Sequence, residues 1–252
     1  NLSATFWDDF GLSRVGVSYA LVGQAEQEVL LGSEITAKEL YQADFMLSLE
    51  SLGAQPNQLL TFFFWAEDLD ANGQLRRTLG DIQMVNVRDF ESIFRQGQSQ
   101  PNGAQPPGGQ GQQQGDPAME LSELQRNIVY AIWNLSRREI FEAVSDGFFN
   151  DVQTISESQD TAIGMLDEQS AMVQDAEQQI VMAEAKGHME KTMLHLTEAF
   201  EAESIKPLSQ ALIEAQKADQ ALLNLRTNES DVVQNNQQQN GGGGGGQQRQ
   251  QL

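Results

Sequence analysis

A low-complexity segment, residues 96–117, divides this chain of 252 residues. It consists almost entirely of Gln, Gly, Pro, Asn and Ser. Because such a segment has too little apolar surface to offset the entropy that ordering costs, it predicts a disordered linker. Residues 231–252, with the glycine run at 241–246, predict a disordered tail for the same reason. The sequence therefore predicts two folded parts, residues 1–95 and residues 118–230.

Residues 1–95 have the pattern of an all-β domain. Val15, Val17 and Tyr19 alternate with Gly, Ser and Ala, as in a strand with one buried face. The stretch 59–66 contains four aromatic residues, which favour a central strand. The sequence DANG at 70–73 is a strong hairpin signal. Several short strands with turns between them predict a β-sandwich.

Residues 118–230 have the three- and four-residue spacing of amphipathic helices. We expect bends at Gly147 and Gly187 and a last helix whose first turn contains Pro207. The predicted buried stripes are Leu121, Leu124, Ile128, Ile132 and Leu135, followed by a heptad seam of Val152, Ile155, Gln159, Ala162, Leu166, Gln169, Val173, Ala176, Ile180 and Ala183. Small residues on such a seam let helices approach closely, so the spacing predicts helical hairpins in a coiled-coil-like bundle.

Charge and cysteine content exclude several classes of function. The chain has 36 acidic and 15 basic residues, a net charge of −21, and both predicted parts are acidic. Neither part offers the basic surface that nucleic acids or anionic membranes require. The absence of cysteine excludes disulfides, thiolate zinc sites and cysteine nucleophiles.

The start of the sequence has neither a signal-like segment nor an apolar run long enough to cross a bilayer. It begins at Asn1 and leads directly into a strand-like pattern. We therefore expect the chain to be a piece of a longer protein, with any membrane anchor or targeting signal preceding Asn1.

Two groups of carboxylates resemble metal or catalytic sites. Residues 68–73 (DLDANG) match the opening of a calcium loop, but Arg76 stands at its ninth position and Leu79 at the twelfth, where a bidentate Glu belongs. A plain hairpin turn is the favoured interpretation. Asp8 and Asp9 form a carboxylate pair that turn chemistry explains equally well.

The two histidines, His188 and His195, are seven residues apart and so share a helix face. Glu184 and Glu198 could join them, but a carboxylate site in a bundle needs Glu-x-x-His pairs from two helices. A solvated face is the favoured interpretation, and a metal-binding bundle is one alternative function. Since no nucleophile, base and orienting residue can be combined, the sequence predicts neither an enzyme nor a cofactor.

Two further groups suggest binding roles. Methionines at helical spacing could form an adaptable groove for a partner, although core filling is the favoured interpretation. These are Met165, Met172, Met182, Met189 and Met193. The other alternative function is a glycan- or peptidoglycan-binding module, with Trp7, Tyr19 or Trp65 as stacking platforms. It requires at least two of these aromatics to be exposed on one face.

Several stretches resemble bacterial envelope proteins. DDFGL at 8–12, followed by 15–19, and TFFFWAED at 61–68 resemble immunoglobulin-like or fibronectin-like modules. LQRNIVYAIWNLSRRE at 124–139 and residues 208–226 resemble a family of uncharacterised membrane-anchored bacterial proteins with acidic, Gln-rich helices. The resemblance implies an immunoglobulin-like sandwich and an extracytoplasmic, periplasmic location, and it carries over no catalytic residues.

Taken with the resemblance, the sequence predicts a non-catalytic structural or protein-interaction segment of a bacterial envelope protein. We expect a protein partner or self-association through the helices, no nucleic acid, and membrane association only through a segment absent from this chain. The linker would let the two folded parts move semi-independently.

Overall fold

The computed structural model describes residues 1–70, 72–88, 117–139 and 144–240, with side chains described up to Leu225. All of the predicted linker except Pro117 therefore lies outside the described residues. The N-terminal region is β-rich, as predicted, and forms two sheets. Its strands are β1 Leu2–Phe6, β2 Leu12–Leu21, β3 Gln27–Ile35, β4 Tyr41–Phe45, β5 Leu59–Leu69, β6 Leu75–Leu79 and β7 Gln83–Asn86.

Four helices follow the β-region, which confirms the predicted order of β then α. They are α1 Pro117–Arg138, α2 Phe148–Met172, α3 Ala176–Glu201 and α4 Leu208–Asn240. Helix α4 continues into the segment where the sequence predicts a disordered tail, 231–252, because Gln and Asn do not by themselves end a helix. Residues 241–252 of that tail lie outside the described part of the chain.

The larger sheet has the order β3-β2-β5-β6, and β7 also pairs with β5. The smaller sheet is the antiparallel pair β1–β4, which packs on one face of the larger sheet. The Phe6 ring lies 6.1 Å from that of Phe64, and Tyr19 stacks on Phe45 at 5.7 Å. These contacts place β1 over β5 and β4 over β2.

The opposite face of the larger sheet is covered by the helices, so the prediction that β2 has one buried face is wrong. Val17 is buried on the side of the small sheet, and Ser18 is only 1% exposed on the side of the helices. Gly16 lies directly under the Trp65 indole, where a Cβ atom would be 2.1 Å from Cζ2. Gly and Ser alternate with Val here because this face has little room, and not because it faces solvent.

Helix α1 attaches to the sheet through Trp133. The Trp133 ring is 4.5 Å from the Phe63 ring, and its Nε1 donates a hydrogen bond to the Gly80 carbonyl at 3.2 Å. One turn later, Arg137 forms an ion pair with Asp81 at 2.7 Å. An aromatic contact with a satisfied indole N–H is typical of a stable interface.

Helix α4 attaches to the sheet through Gln220. Its Oε1 accepts a hydrogen bond from the Leu59 amide at 2.5 Å, and its Nε2 donates to the Asn57 carbonyl at 2.6 Å. The amide thus pairs with the start of β5 much as a neighbouring strand would. These contacts correct the expectation of semi-independent parts, because apolar surface on both sides is buried by docking the sheet and the helices against each other.

The helices form a bundle in which each helix packs on the next and α1 packs on α4. Short connections between neighbours give alternating directions, as in an up-and-down bundle. The core is rich in small side chains where α3 and α4 meet, including Ala185, Ala211, Ala215 and Ala218. Small residues allow the two helix axes to approach closely.

The predicted seam is correct from Val152 to Leu166 and at Val173, which packs against the core, but Gln169 is only half-buried and the positions in α3 are wrong. Val152, Ile155, Gln159, Ala162 and Leu166 are buried, as expected. The chain then turns, and Asp175 caps α3 by accepting hydrogen bonds from the amides of Glu177 and Gln178, both at 2.9 Å. This turn resets the helical phase, so Ile180 is exposed and Met182 is buried. Gly187 produces no bend, since α3 runs through it.

A polar pair lies inside the bundle core. Gln125 of α1 and Gln159 of α2 are both fully buried. Gln159 Nε2 donates to Gln125 Oε1 at 2.9 Å, and Gln125 Nε2 donates to the Ala215 carbonyl of α4 at 3.1 Å. Buried polar contacts of this kind favour one alignment of the helices over shifted ones.

Replacing Gln125 alone by leucine is expected to destabilise the bundle by about 1–3 kcal/mol, because the Gln159 amide then lacks a partner in an apolar core. Replacing Gln125 and Gln159 together should restore most of this loss, since no buried amide remains unpaired. Urea denaturation of the two single variants and the double variant measures the coupling. If the losses of stability in the two single variants simply add in the double variant, the direct pairing of Gln125 with Gln159 is contradicted.

Candidate interaction surfaces

Three connections meet at one end of the β-region. The register places Arg14 of β2 opposite Glu67 of β5, so the start of β2 and the end of β5 lie at the same end. The β1–β2 and β3–β4 connections are joined there by a 2.8 Å hydrogen bond from the Lys38 amide to the Asp8 carbonyl. The β5–β6 hairpin lies at the same end, because it joins the end of β5 to β6.

Large apolar side chains project from two of these connections. Phe10 is 90% exposed, Leu40 is 75% exposed and Trp7 is 55% exposed. We call these three residues the apolar loop surface. Sequence reasoning named Trp7 only as a possible stacking platform, assigned residues 8–12 to turn formation, and missed Phe10 and Leu40. The available signal was a large apolar residue between Asp9 and Gly11, where a turn needs only small or polar residues.

The apolar loop surface has acidic neighbours. Asp9 and Glu39 are exposed beside it, while Lys38 is the basic residue of the same two connections. Arg76 of the adjacent hairpin is paired with Asp68 and is therefore not a free cation. A partner that covers this surface would meet a negative rim.

The segment that resembles the opening of a calcium loop forms a turn, which is the interpretation that the sequence favours. Asp70 Oδ1 accepts hydrogen bonds from the amides of Asn72 and Gln74, each at 2.8 Å, and the hydrogen bonds from Gln74 and Asn72 hold the pKa of Asp70 below its ordinary value. Asp68 is engaged by Arg76. In the described ranges, no group of three or more His, Asp or Glu side chains is arranged to hold a metal ion.

The aromatic residues proposed for glycan stacking do not share an exposed face. Tyr19 is 8% exposed and Trp65 is 2% exposed, and both lie between packed layers of the fold. Trp7 alone of the three projects into solvent. Because a stacking site needs a pair of accessible rings, the residues named for the glycan alternative do not form one.

The two histidines form separate pairs. His188 Nδ1 is 2.6 Å from Glu214 of α4, and His195 Nδ1 is 2.8 Å from Glu198 of its own helix. Lys217 also contacts Glu214, at 2.8 Å. The structure thus directs the two rings to different carboxylates, and the His188 cluster connects α3 to α4.

This cluster predicts an acid-sensitive contribution to stability. Burial opposes ionisation of Glu214, but hydrogen bonds from Lys217 and His188 outweigh it and hold its pKa below the ordinary value of 4.5. The contribution is therefore present above pH 4.5 and is lost as the pH falls through the folded pKa. Urea denaturation between neutral and acidic pH should show a shallower acid loss in Glu214→Gln. Glu198→Gln, at an exposed pair, serves as the control and should behave like the unaltered chain.

The methionines named for a possible partner groove do not share one exposed face. Met182 and Met189 fill the bundle core, Met165 packs against it, Met193 is half-buried and Met172 is exposed at the end of α2. An open groove of about 590 Å³ lies between α1 and α2. Its Arg138 is engaged by Glu139 at 2.9 Å and Asp151 at 2.6 Å, so the groove offers no free guanidinium from this residue.

Comparisons with protein families, curated proteins and solved structures find no match to this chain. Within the described ranges, none of the helices is both long and apolar enough to cross a bilayer.

Proposed function

We propose that this chain is a non-catalytic protein-interaction segment that docks onto a partner through the apolar loop surface. The observation that carries the proposal is the 90% exposure of Phe10 at the tip of a hydrogen-bonded connection. Full burial of a side chain of this size contributes about 1.5–3 kcal/mol, so a partner covering all three residues would gain substantial affinity.

The loop that holds Phe10 has little freedom. The Phe10 amide donates to Asp8 Oδ1 at 2.8 Å, and Gly11 adopts a φ of +95° that a side chain would strain. A Cβ atom on Gly11 would also be 2.8 Å from the Ile35 carbonyl oxygen. Because Phe10 is held in place before binding, less conformational entropy is lost when a partner covers it.

The charge around the surface indicates the chemistry of the partner. Asp9 and Glu39 border the apolar side chains, and the whole chain carries a charge of −21. A complementary partner has an apolar pocket for the Phe10 ring, bordered by Lys or Arg. An anionic membrane would instead be repelled.

We also propose that the β-region is an immunoglobulin-like sandwich of an envelope protein located on the periplasmic side. The packing of β1–β4 on the larger sheet and the resemblance of residues 8–12 and 61–68 support this proposal. Fractionation of the source bacterium with an antibody to this chain tests the location. Recovery in the cytosolic fraction would contradict it.

Photo-crosslinking in cells tests the docking function. A benzophenone amino acid in place of Phe10 should form a discrete crosslinked product. The same group at Leu194, an exposed position on α3 at 55%, should not. Changing Leu40 to Ser should weaken the crosslink at position 10 by about tenfold or more, as for a residue at the centre of an interface. Equal labelling from positions 10 and 194 would mean that the surface is not a specific docking site.

A further inference from the structure

We infer that the free edge of β1 accepts an extended strand from a different protein chain, in a second binding mode independent of the apolar loop surface. Among the described residues, β1 pairs with β4 alone, so its other edge has main-chain groups without a strand partner. Such an edge can be completed by a peptide in extended conformation, whose main chain supplies the affinity.

The position of the free edge follows from two contacts. Tyr41 of β4 reaches over β3, where its hydroxyl donates to the Leu31 carbonyl at 2.8 Å. Phe6 of β1 lies against Phe64 of β5. Strand β4 therefore lies on the β3 side of the small sheet, and the free edge of β1 points towards the side where β5 pairs with β6 and β7.

A partly exposed apolar strip lies beside this edge. Phe62 and Phe64 are half-buried, with their rings 6.1 Å apart, and both lie on the face of β5 that carries the small sheet. The register places Val85 of β7 opposite Leu60, on that same face, and Val85 is 43% exposed. One added strand, about 4.8 Å from β1, would lie over this strip.

The outer edges of the larger sheet are protected in ways that the free edge of β1 is not. Strand β3 has a register shift opposite Gly16, and the Tyr41 hydroxyl donates a hydrogen bond to the Leu31 carbonyl. At the β6–β7 edge, Arg137 donates a hydrogen bond to the Leu79 carbonyl and Trp133 donates one to the Gly80 carbonyl. Bulges and covering side chains are the usual protection of strand edges. In the described part of the chain, the β1 edge combines an open backbone with a partly exposed apolar strip.

Charge favours a strand from another chain. The solvent-facing side of the small sheet carries Ser3 hydrogen-bonded to Asp44, and the chain is strongly acidic. An incoming strand with apolar residues towards Phe62 and Val85, and Lys or Thr towards solvent, complements both faces. Residues 89–95 of this chain (DFESIFR) have two acidic residues and one basic residue, so they do not offer this charge complementarity.

The test uses the full chain and a synthetic peptide of about eight residues, long enough to span β1, in which Val or Ile alternates with Lys or Thr. Isothermal titration should show binding, and amide hydrogen exchange should slow in β1. A peptide of the same composition with its apolar residues in one block should bind at least tenfold more weakly.

Two variants locate the site. Val85→Lys places a charge in the strip and should weaken binding of the alternating peptide at least tenfold. Thr5→Lys, exposed on the outer side of β1, should leave it within about twofold. Urea denaturation of both variants separates loss of binding from loss of folding.

Three results would overturn the inference. The first is that the alternating peptide neither binds nor protects β1. The second is that binding appears only after deletion of residues 89–95, which would assign the edge to the chain's own segment. The third is protection of β1 that rises with protein concentration in the absence of peptide, which would assign it to a second copy.

Discussion

Replacing Gly16 by alanine is expected to destabilise the fold by at least about 3 kcal/mol, the upper range of overpacking in a close-packed core. A Cβ atom at this position would be 2.1 Å from Cζ2 of Trp65 and 2.6 Å from the Val29 carbonyl oxygen. Neither neighbour can retreat easily, because Trp65 is buried and Val29 belongs to the paired strand β3. Urea denaturation followed by circular dichroism measures the change.

Gly164→Ala provides the matched control, because that glycine lies in α2 with no atom within 4 Å of the added Cβ. It should stabilise the chain by about 0.5–1 kcal/mol through helix propensity. Combining Gly16→Ala with Trp65→Leu should recover part of the loss by making room for the methyl group. If Gly16→Ala folds as stably as the unaltered chain, the close approach of β2 to the Trp65 ring is wrong.

Replacing Trp133 by alanine is expected to cost about 3–5 kcal/mol, as for other buried aromatic residues. The variant loses the 4.5 Å contact with Phe63 and the hydrogen bond to the Gly80 carbonyl. Because these contacts join α1 to the sheet, we expect the loss to appear as weaker coupling between the two regions. Unfolding of the unaltered chain should follow one transition, and that of Trp133→Ala should follow two.

Trp7→Ala is the control for this experiment, since it removes the same side chain from an exposed position at 55%. Its effect on stability should stay within about 0.5 kcal/mol, as for other surface substitutions. Gln220→Ala, which removes the second attachment to the sheet, should act in the same direction as Trp133→Ala. A single unchanged transition in Trp133→Ala would show that the sheet and the bundle are not coupled through this residue.

Sequence reasoning succeeded where local periodicity and packing agree. The alternation around Val17 marked a strand, and the seam from Val152 to Leu166 marked the buried face of α2. It failed where a local cap changed the phase. In the sequence, the heptad pattern continues without a break through Asp175, the residue that caps α3. The exposure of Ile180 could therefore not be predicted from spacing alone.

The interaction surfaces were less predictable than the elements that carry them. Phe10 lies in a segment with every sign of a turn, and its exposure depends on how the β1–β2 connection is held by the β3–β4 connection. The strip formed by Phe62 and Val85 depends on the pairing of β5 with β7 and on the position of β1. These are contacts between distant residues, which periodicity does not record.

The sequence alone determined three features: a β-region followed by helices, the acidic character and the lack of cysteine chemistry. These features depend only on composition and on hydrophobic periods of two and 3.6 residues. The tertiary structure decided that the larger sheet is covered on both faces and that the helices are fixed to it. The physical reason is that Trp133 and Gln220 find their partners, Phe63 and the start of β5, only when segments far apart in the chain pack together.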